Sequence, residues 1–245
     1  MFKISFVFIS FILISCSLDK MNDCVGSSGS VTYQSIELDS FLKLNINEGI
    51  EVELIQNPIH KIEIEVGQHI KKYIEYTVIN QELFLSNRLT CSVGFPPAAK
   101  IKVYTPNLTD INTVSQYNLT SNQIFDADTL YIGSGVSKKT ASCVIKLNIK
   151  ANNLTIESGN LTFFELTGYV NNFSIIFWGG NSRLEAQNLI SQHVNLFQRS
   201  SNHMYLNPIQ SIKGQIYSNA NVYVNQFPNL VDVTSYNKGK LILQP

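Results

Sequence analysis

In the second half of the chain an Asn or Asp recurs just ahead of an apolar residue. Examples are Asn107-Leu108, Asp128-Thr129-Leu130, Asn153-Leu154, Asn172-Phe173, Asn188-Leu189, Asn221-Val222 and Asn229-Leu230. Several of these lie roughly 20 residues apart, the period of stacked β-coils. A unit that short cannot bury a hydrophobic face by itself, so it must stack against copies of itself. Short apolar runs fall between the pairs: Leu161-Thr162-Phe163, Leu184-Glu185-Ala186 and Met204-Tyr205-Leu206. Asn and Gly near the gaps suit sharp corners, because both tolerate left-handed backbone. An antiparallel sandwich also shows short strands every 8–12 residues or so. The near-absence of two-residue Asn-Gly and Asp-Gly hairpin turns favours the coils.

The first half reads differently. Leu42, Leu44 and Ile46 alternate with Lys43, Asn45 and Asn47, and Ile62, Ile64 and Val66 alternate with Lys61, Glu63 and Glu65. A period of two means strands with one buried face and one wet face. His69 to Tyr76 is the one stretch read as a short helical turn. The fold class expected is therefore all-β, with N-terminal strands over 32–105 leading into a right-handed parallel β-helix, or β-solenoid, over 106–245.

Charged residues make up 15% of the chain, against about 25% in an ordinary soluble domain. The wet face must then be built largely from Asn, Ser, Thr and Gln. Eighteen basic and eighteen acidic residues cancel. Nucleic-acid binding draws most of its affinity from a basic excess, so nucleic acid is not an expected partner.

The N-terminus reads as an address. Lys3 precedes an apolar run over Ile4 to Ile14 that is too short to span a bilayer. It ends in Leu13-Ile14-Ser15-Cys16, which resembles the bacterial lipobox, and this implies a signal peptide over 1–15 and lipidation of Cys16. Residues 16–31 then form a polar tether containing Gly26-Ser27-Ser28-Gly29. A membrane contact through the N-terminal lipid and an outer-membrane or cell-surface location follow from that reading. Cys24, Cys91 and Cys143 remain. A Cys91–Cys143 bridge and separate burial of each thiol both fit an exported chain.

Chemistry-bearing motifs are sparse. His60, His69, His193 and His203 show no metal-ligand spacing, and GxSxG, P-loop and GxGxxG motifs are missing from the sequence. No catalytic residue, metal site or cofactor is expected. Asp126 and Asp128 share one side of a strand, where simple turn residues and a Ca²⁺ or glycosidase pair are both conceivable. A carbohydrate-active enzyme would need Asp126, Asp128, Arg183 and His193 to converge in one cleft. Arg183 and Arg199 have Glu185 and Glu165 as candidate partners, or an acidic sugar. Phe163, Phe164, Phe173, Phe177 and Trp178 cluster in sequence. Most should be core, and Phe177 and Trp178 are the candidates for a ligand platform.

The run Phe41-Leu42-Lys43-Leu44, the turn Asn47-Glu48-Gly49-Ile50 and the strand Glu51 to Gln56 lead on to Gln81-Glu82-Leu83-Phe84-Leu85. The block Ile101-Lys102-Val103-Tyr104-Thr105-Pro106-Asn107-Leu108-Thr109-Asp110-Ile111 closes the series. In order and spacing these resemble the putative auto-transporter adhesin head, GIN domain family, over about residues 36–245. One departure is Val114-Ser115-Gln116-Tyr117, where family members often carry a Gly-rich turn. The resemblance implies a mainly β, partly solenoidal domain at the cell surface. It implies an adhesin or binding scaffold with a glycan or protein ligand, or else a structural component of the envelope.

Overall fold

The computed structural model describes residues 28–89, 98–136 and 141–244. The signal peptide, Cys16, Cys24 and Cys91 lie outside the described residues. Within them are sixteen strands, one 3-10 turn at Lys71–Tyr73 and no α-helix.

Eight short strands come first: β1 (Val31–Glu37), β2 (Lys43–Ile46), β3 (Ile50–Gln56), β4 (Lys61–Gly67), β5 (Ile74–Ile79), β6 (Glu82–Asn87), β7 (Ala99–Thr105) and β8 (Asp110–Thr113). Five long strands follow: β9 (Leu119–Ser134), β10 (Val144–Ser158), β11 (Phe163–Phe177), β12 (Arg183–Gln198) and β13 (Met204–Ile216). The chain ends with β14 (Val222–Val224), β15 (Leu230–Ser235) and β16 (Leu241–Leu243).

The pairings build two walls around one core. The first wall runs β1-β4-β7-β3-β9-β10-β11-β12-β13-β14-β16. The second runs β5-β6-β2-β8 and then continues through the same long strands to β15. Each long strand thus serves both walls. Leu119 and Thr120 at the start of β9 pair with β3, whereas Tyr131 to Ser134 at its end pair with β8. Every pairing from β9 onward is parallel, and antiparallel pairs occur only among β1, β4, β5, β6 and β7. The second half is a β-solenoid of about 6 turns, not a sandwich.

The coil period is visible in the register. Val144 pairs with Phe163, 19 residues on, and Phe163 with Arg183, 20 residues on. Inward side chains consequently stack in columns. Val52, Leu119, Ile145, Phe164, Leu184, Met204 and Val222 form one, all of them buried. Each such Leu or Phe contributes about 1.5–3 kcal/mol by leaving water.

The strands turn from the first wall to the second at an Asn corner. The inward phase steps from Ala151 to Leu154, and Asn152 and Asn153 sit in the step. Asn171 donates to Asn152 (2.9 Å) and Asn172 to Asn153 (3.0 Å), so the pairs Asn153-Leu154 and Asn172-Phe173 stack up the corner. His193 is level with Asn172 on the next coil, and Asn188 lies earlier in its strand, level with Thr167. Immediately before this corner Gly168 has φ +112°, and a Cβ there would lie 2.1 Å from the carbonyl oxygen of Ile149. Gly214, with φ +135°, faces Leu196 O at 1.9 Å in the same sense. Only glycine lets the coils approach that closely.

The return corner is closed by a buried seam of hydroxyls. Ser134 meets Thr162 at 2.7 Å and Ser158 meets Ser182 at 2.7 Å, while Ser200 donates to the carbonyl of Ser182 at 2.5 Å. Buried hydroxyls are tolerated only when satisfied, and here each coil satisfies the next. The Val114 to Tyr117 turn joins the same device. Ser115 donates to Ile50 O at 2.6 Å and accepts from Tyr117 N, and Gln116 accepts from Gly49 N. Side-chain bonds hold the turn that the missing glycines would otherwise shape. Cys143 is buried beside this seam as a free thiol, and burial raises its pKa.

Candidate ligand-binding surface

Where the second wall ends, the ladder Phe177–Gln198–Ile216–Ser235 continues one residue further and sets Trp178, Arg199, Tyr217 and Tyr236 level on successive coils. Phe197, two residues before Arg199, reaches between the Trp178 and Tyr217 rings, so Trp178, Phe197, Tyr217 and Tyr236 form an aromatic column on the outer side. Their ring centroids are 5.2, 5.5 and 4.4 Å apart in turn. Trp178 and Tyr236 are 50% and 54% exposed. Trp178 lies at 56° to Phe197, so that neighbour does not cover its face. Its indole N–H donates to Glu157 (2.5 Å), and Tyr131 O–H holds the other Glu157 oxygen (2.7 Å). Burial, then the bond to Glu157, raises the Tyr131 pKa. At the far end Tyr236 is parallel to Tyr217, and among the described residues no strand lies beyond β15 to cover its outer face.

Phe177, the other half of the expected platform, is fully buried and packs against Phe164 at 5.5 Å. Strand alternation forces this: of two neighbours on a strand, one faces in. Phe164 and Phe173 are likewise core. Sequence adjacency was therefore the wrong guide, and Phe197, Tyr217 and Tyr236 were missed. Tyr217 and Tyr236 fall level with Trp178 on later coils, whereas Phe197 is level with Ile176 and Gln215, so only the structural register shows that its ring joins them.

A second aromatic column stands across the return corner, on the first wall. Tyr205 stacks on Tyr223 at 5.1 Å, His203 meets Tyr223 edge-on, and the Arg183 guanidinium sits between the Phe163 and Tyr205 rings. Between the columns lies a hollow of about 360 Å³, lined by Arg199, Ser201, His203, Tyr217, Asn219 and Asn237, among others. Arg183 pairs with Glu185 at 2.5 Å, and Lys146 occupies Glu165 at 2.7 Å. Arg199 is exposed and has no ion-pair partner among the described residues.

The residues an enzyme would need do not converge. Asp126 and Asp128 do share the outer side of their strand, flanking buried Ala127. Asp126 is paired with Lys150 at 2.6 Å, and Asp128 accepts from Thr129. His193 is bonded to Ser211 (2.9 Å) at the Asn corner three coils away, while Arg183 opens its strand at the opposite corner. Among the described residues no three His, Cys, Asp or Glu side chains are grouped to hold a metal.

A larger groove, about 730 Å³, lies elsewhere, on the first wall's outer face near β1. Cross-strand register sets Glu51, Lys100 and Glu65 in one row and Glu53, Lys102 and Glu63 in the next. Lys61 and Tyr104 bond Glu63 at 2.7 and 2.8 Å, and these bonds, Lys61 first, lower its pKa. Burial and the same carboxylate push the Tyr104 hydroxyl up to about 12. Lys102 pairs with Glu53 at 3.6 Å, and such opposite charges on neighbouring strands account for this surface as strand pairing. The first aromatic column has no such internal account, because Trp178 and Tyr236 at its ends are exposed.

The family model described as putative auto-transporter adhesin, head GIN domain, matches residues 40–228. The chain belongs to this family. Solved structures share the GIN-domain fold at low identity. A putative adhesin from Bacteroides fragilis is 16% identical, with a TM-score of 0.77 over 87% of this chain and 97% of that one. A putative lipid binding protein from Parabacteroides distasonis is 12% identical, with a TM-score of 0.61 over 87% and 97%. A putative adhesin from Parabacteroides merdae is 16% identical, with a TM-score of 0.59 over 89% and 97%. At such identities the likeness establishes the fold alone. A search of curated proteins gives no match. Family membership supports an adhesin or binding role for this GIN-domain chain, and none of these relatives is described as an enzyme.

Proposed function

We propose that this GIN-domain protein is a lipid-anchored binding scaffold of the cell envelope that engages glycans without transforming them. The observation that carries the reading is the open column of Trp178, Phe197, Tyr217 and Tyr236 on a rigid wall. The C–H face of a sugar ring carries partial positive charge and packs on the negative face of an aromatic ring. A preformed column offers that contact with little ordering cost. Acylation at Cys16 and a tether over 17–27 hold the domain at the membrane, and several acyl chains give stable anchoring. Residues 28–31, expected as tether, are bonded into the domain and begin β1. Proteolysis of intact cells distinguishes display at the surface from residence in the periplasm.

The test is a glycan array probed with the native domain and with the Trp178→Ala/Tyr236→Ala pair. Both rings are half exposed, so the pair should keep its fold by circular dichroism while binding falls at least tenfold. Native protein that binds no arrayed glycan, or a double variant that binds like the native one, refutes the glycan reading. Turnover of an arrayed polysaccharide would replace it with the enzymatic one.

A further inference from the structure

We propose that the hollow beside the aromatic column selects sugars bearing a carboxylate, with Arg199 as the group that reads the charge. This deepens the glycan reading above and rests on it.

Four observations support it. First, the chain has three arginines, Arg88, Arg183 and Arg199. Arg88 is paired with Glu75 at 3.0 Å and Arg183 with Glu185, whereas Arg199 lines the hollow without a carboxylate partner among the described residues. Second, no acidic residue lines the hollow, so the guanidinium field there is not cancelled locally. A planar guanidinium grips a carboxylate through two parallel hydrogen bonds, a geometry that a neutral sugar does not supply.

Third, the remaining lining groups suit hydroxyls. His203 Nδ1 accepts from the Asn221 N–H (2.9 Å), which in the neutral ring leaves the Nε2–H as a donor. The Asn237 amide donates to Tyr217 O (2.5 Å), leaving its own oxygen to accept. Fourth, Tyr217 belongs to both features, being a rung of the column and a wall of the hollow. The hollow therefore adjoins the column at Tyr217, and Asn237, next in sequence to the open Tyr236 ring, lines it as well. A volume of about 360 Å³ fits a single sugar residue rather than a long chain.

The experiment uses the full folded domain on an array of uronic-acid and sialic-acid glycans, each printed beside its carboxyl-reduced counterpart. Native protein should prefer the carboxylated member of a pair at least tenfold. Arg199→Gln should lose that preference while keeping the affinity shown for the reduced member, and Arg199→Lys should retain part of it. Equal binding of both members by native protein, or a preference that survives in Arg199→Gln, overturns this inference and leaves the neutral glycan reading standing. Failure to bind any member overturns both.

Discussion

The two halves of this molecule reach the same cross-section by different routes. In the solenoid one strand makes both walls of a coil, as β10 does, and its neighbours in space are one coil away in sequence. In the N-terminal half each wall segment is a separate short strand. β3 must find β7 across a gap of more than forty residues, and β2 pairs with both β6 and β8. The chemistry differs accordingly. Glu and Lys in cross-strand rows face outward in the first region, whereas Asn ladders, hydroxyl seams and ring columns organise the second. A repeating coil can hold its corners with neutral groups because each coil offers the next a hydrogen-bonding partner at the same place. Strands brought together from distant positions use opposite charges, which also disfavour wrong pairings.

The largest effect that tests this contrast is a cavity in the central column. Phe164→Ala should cost about 3–5 kcal/mol in urea unfolding. Because coils contact only their neighbours, native-state hydrogen exchange should then show β14, β15 and β16 opening locally while β3 and β7 exchange only on global unfolding. Uniform protection across both halves would erase the distinction. Next is the close approach of coils at Gly214. Gly214→Ala places a methyl group against Leu196 O at φ +135° and should destabilise by about 1–3 kcal/mol. An unchanged unfolding midpoint would mean that the coils can separate freely there.

The smallest expected effect concerns pH and belongs to the N-terminal half. His60 packs edge-on against Phe41 at 4.8 Å, and burial lowers its pKa from 6.5. The unfolded chain then binds the extra proton first, so stability falls as pH drops below about 6.5. Glu63 has its pKa lowered from 4.5 by Lys61 and Tyr104, and its contribution is lost in a separate window below that value. Between pH 7 and 5 the urea midpoint should decline less in His60→Gln than in the native protein. Equal slopes would place the acid sensitivity elsewhere. The hydroxyl seam has the Cys143 thiol beside it, whose pKa burial raises from 9.0, so it produces no such slope between pH 7 and 5.

Much of the fold could be read from the chain. Asn153-Leu154 and Asn172-Phe173 marked a corner and are seen stacked there, whereas Asn188-Leu189 did not, and the N-terminal alternation gave strands whose inward residues Leu44, Ile62 and Val103 are buried. The site was legible only in part. Trp178 stood out as an aromatic in a polar stretch, but its partners lie 19, 39 and 58 residues further on, at 197, 217 and 236. Phe177 was indistinguishable from it until a strand phase decided which of the two faced out.

Sequence alone determined the period: short strands with alternating inward and outward residues, interrupted near Asn and Gly at a spacing of about one coil. Those properties are local, set by side-chain alternation and by backbone torsions that Asn and Gly allow. Only the tertiary structure decided the register between coils. A shift of a single residue would carry Trp178, Phe197, Tyr217 and Tyr236 to opposite faces and dissolve their column. Arg199 would then have no hollow to line, because a surface formed by successive coils exists only once their offset is fixed.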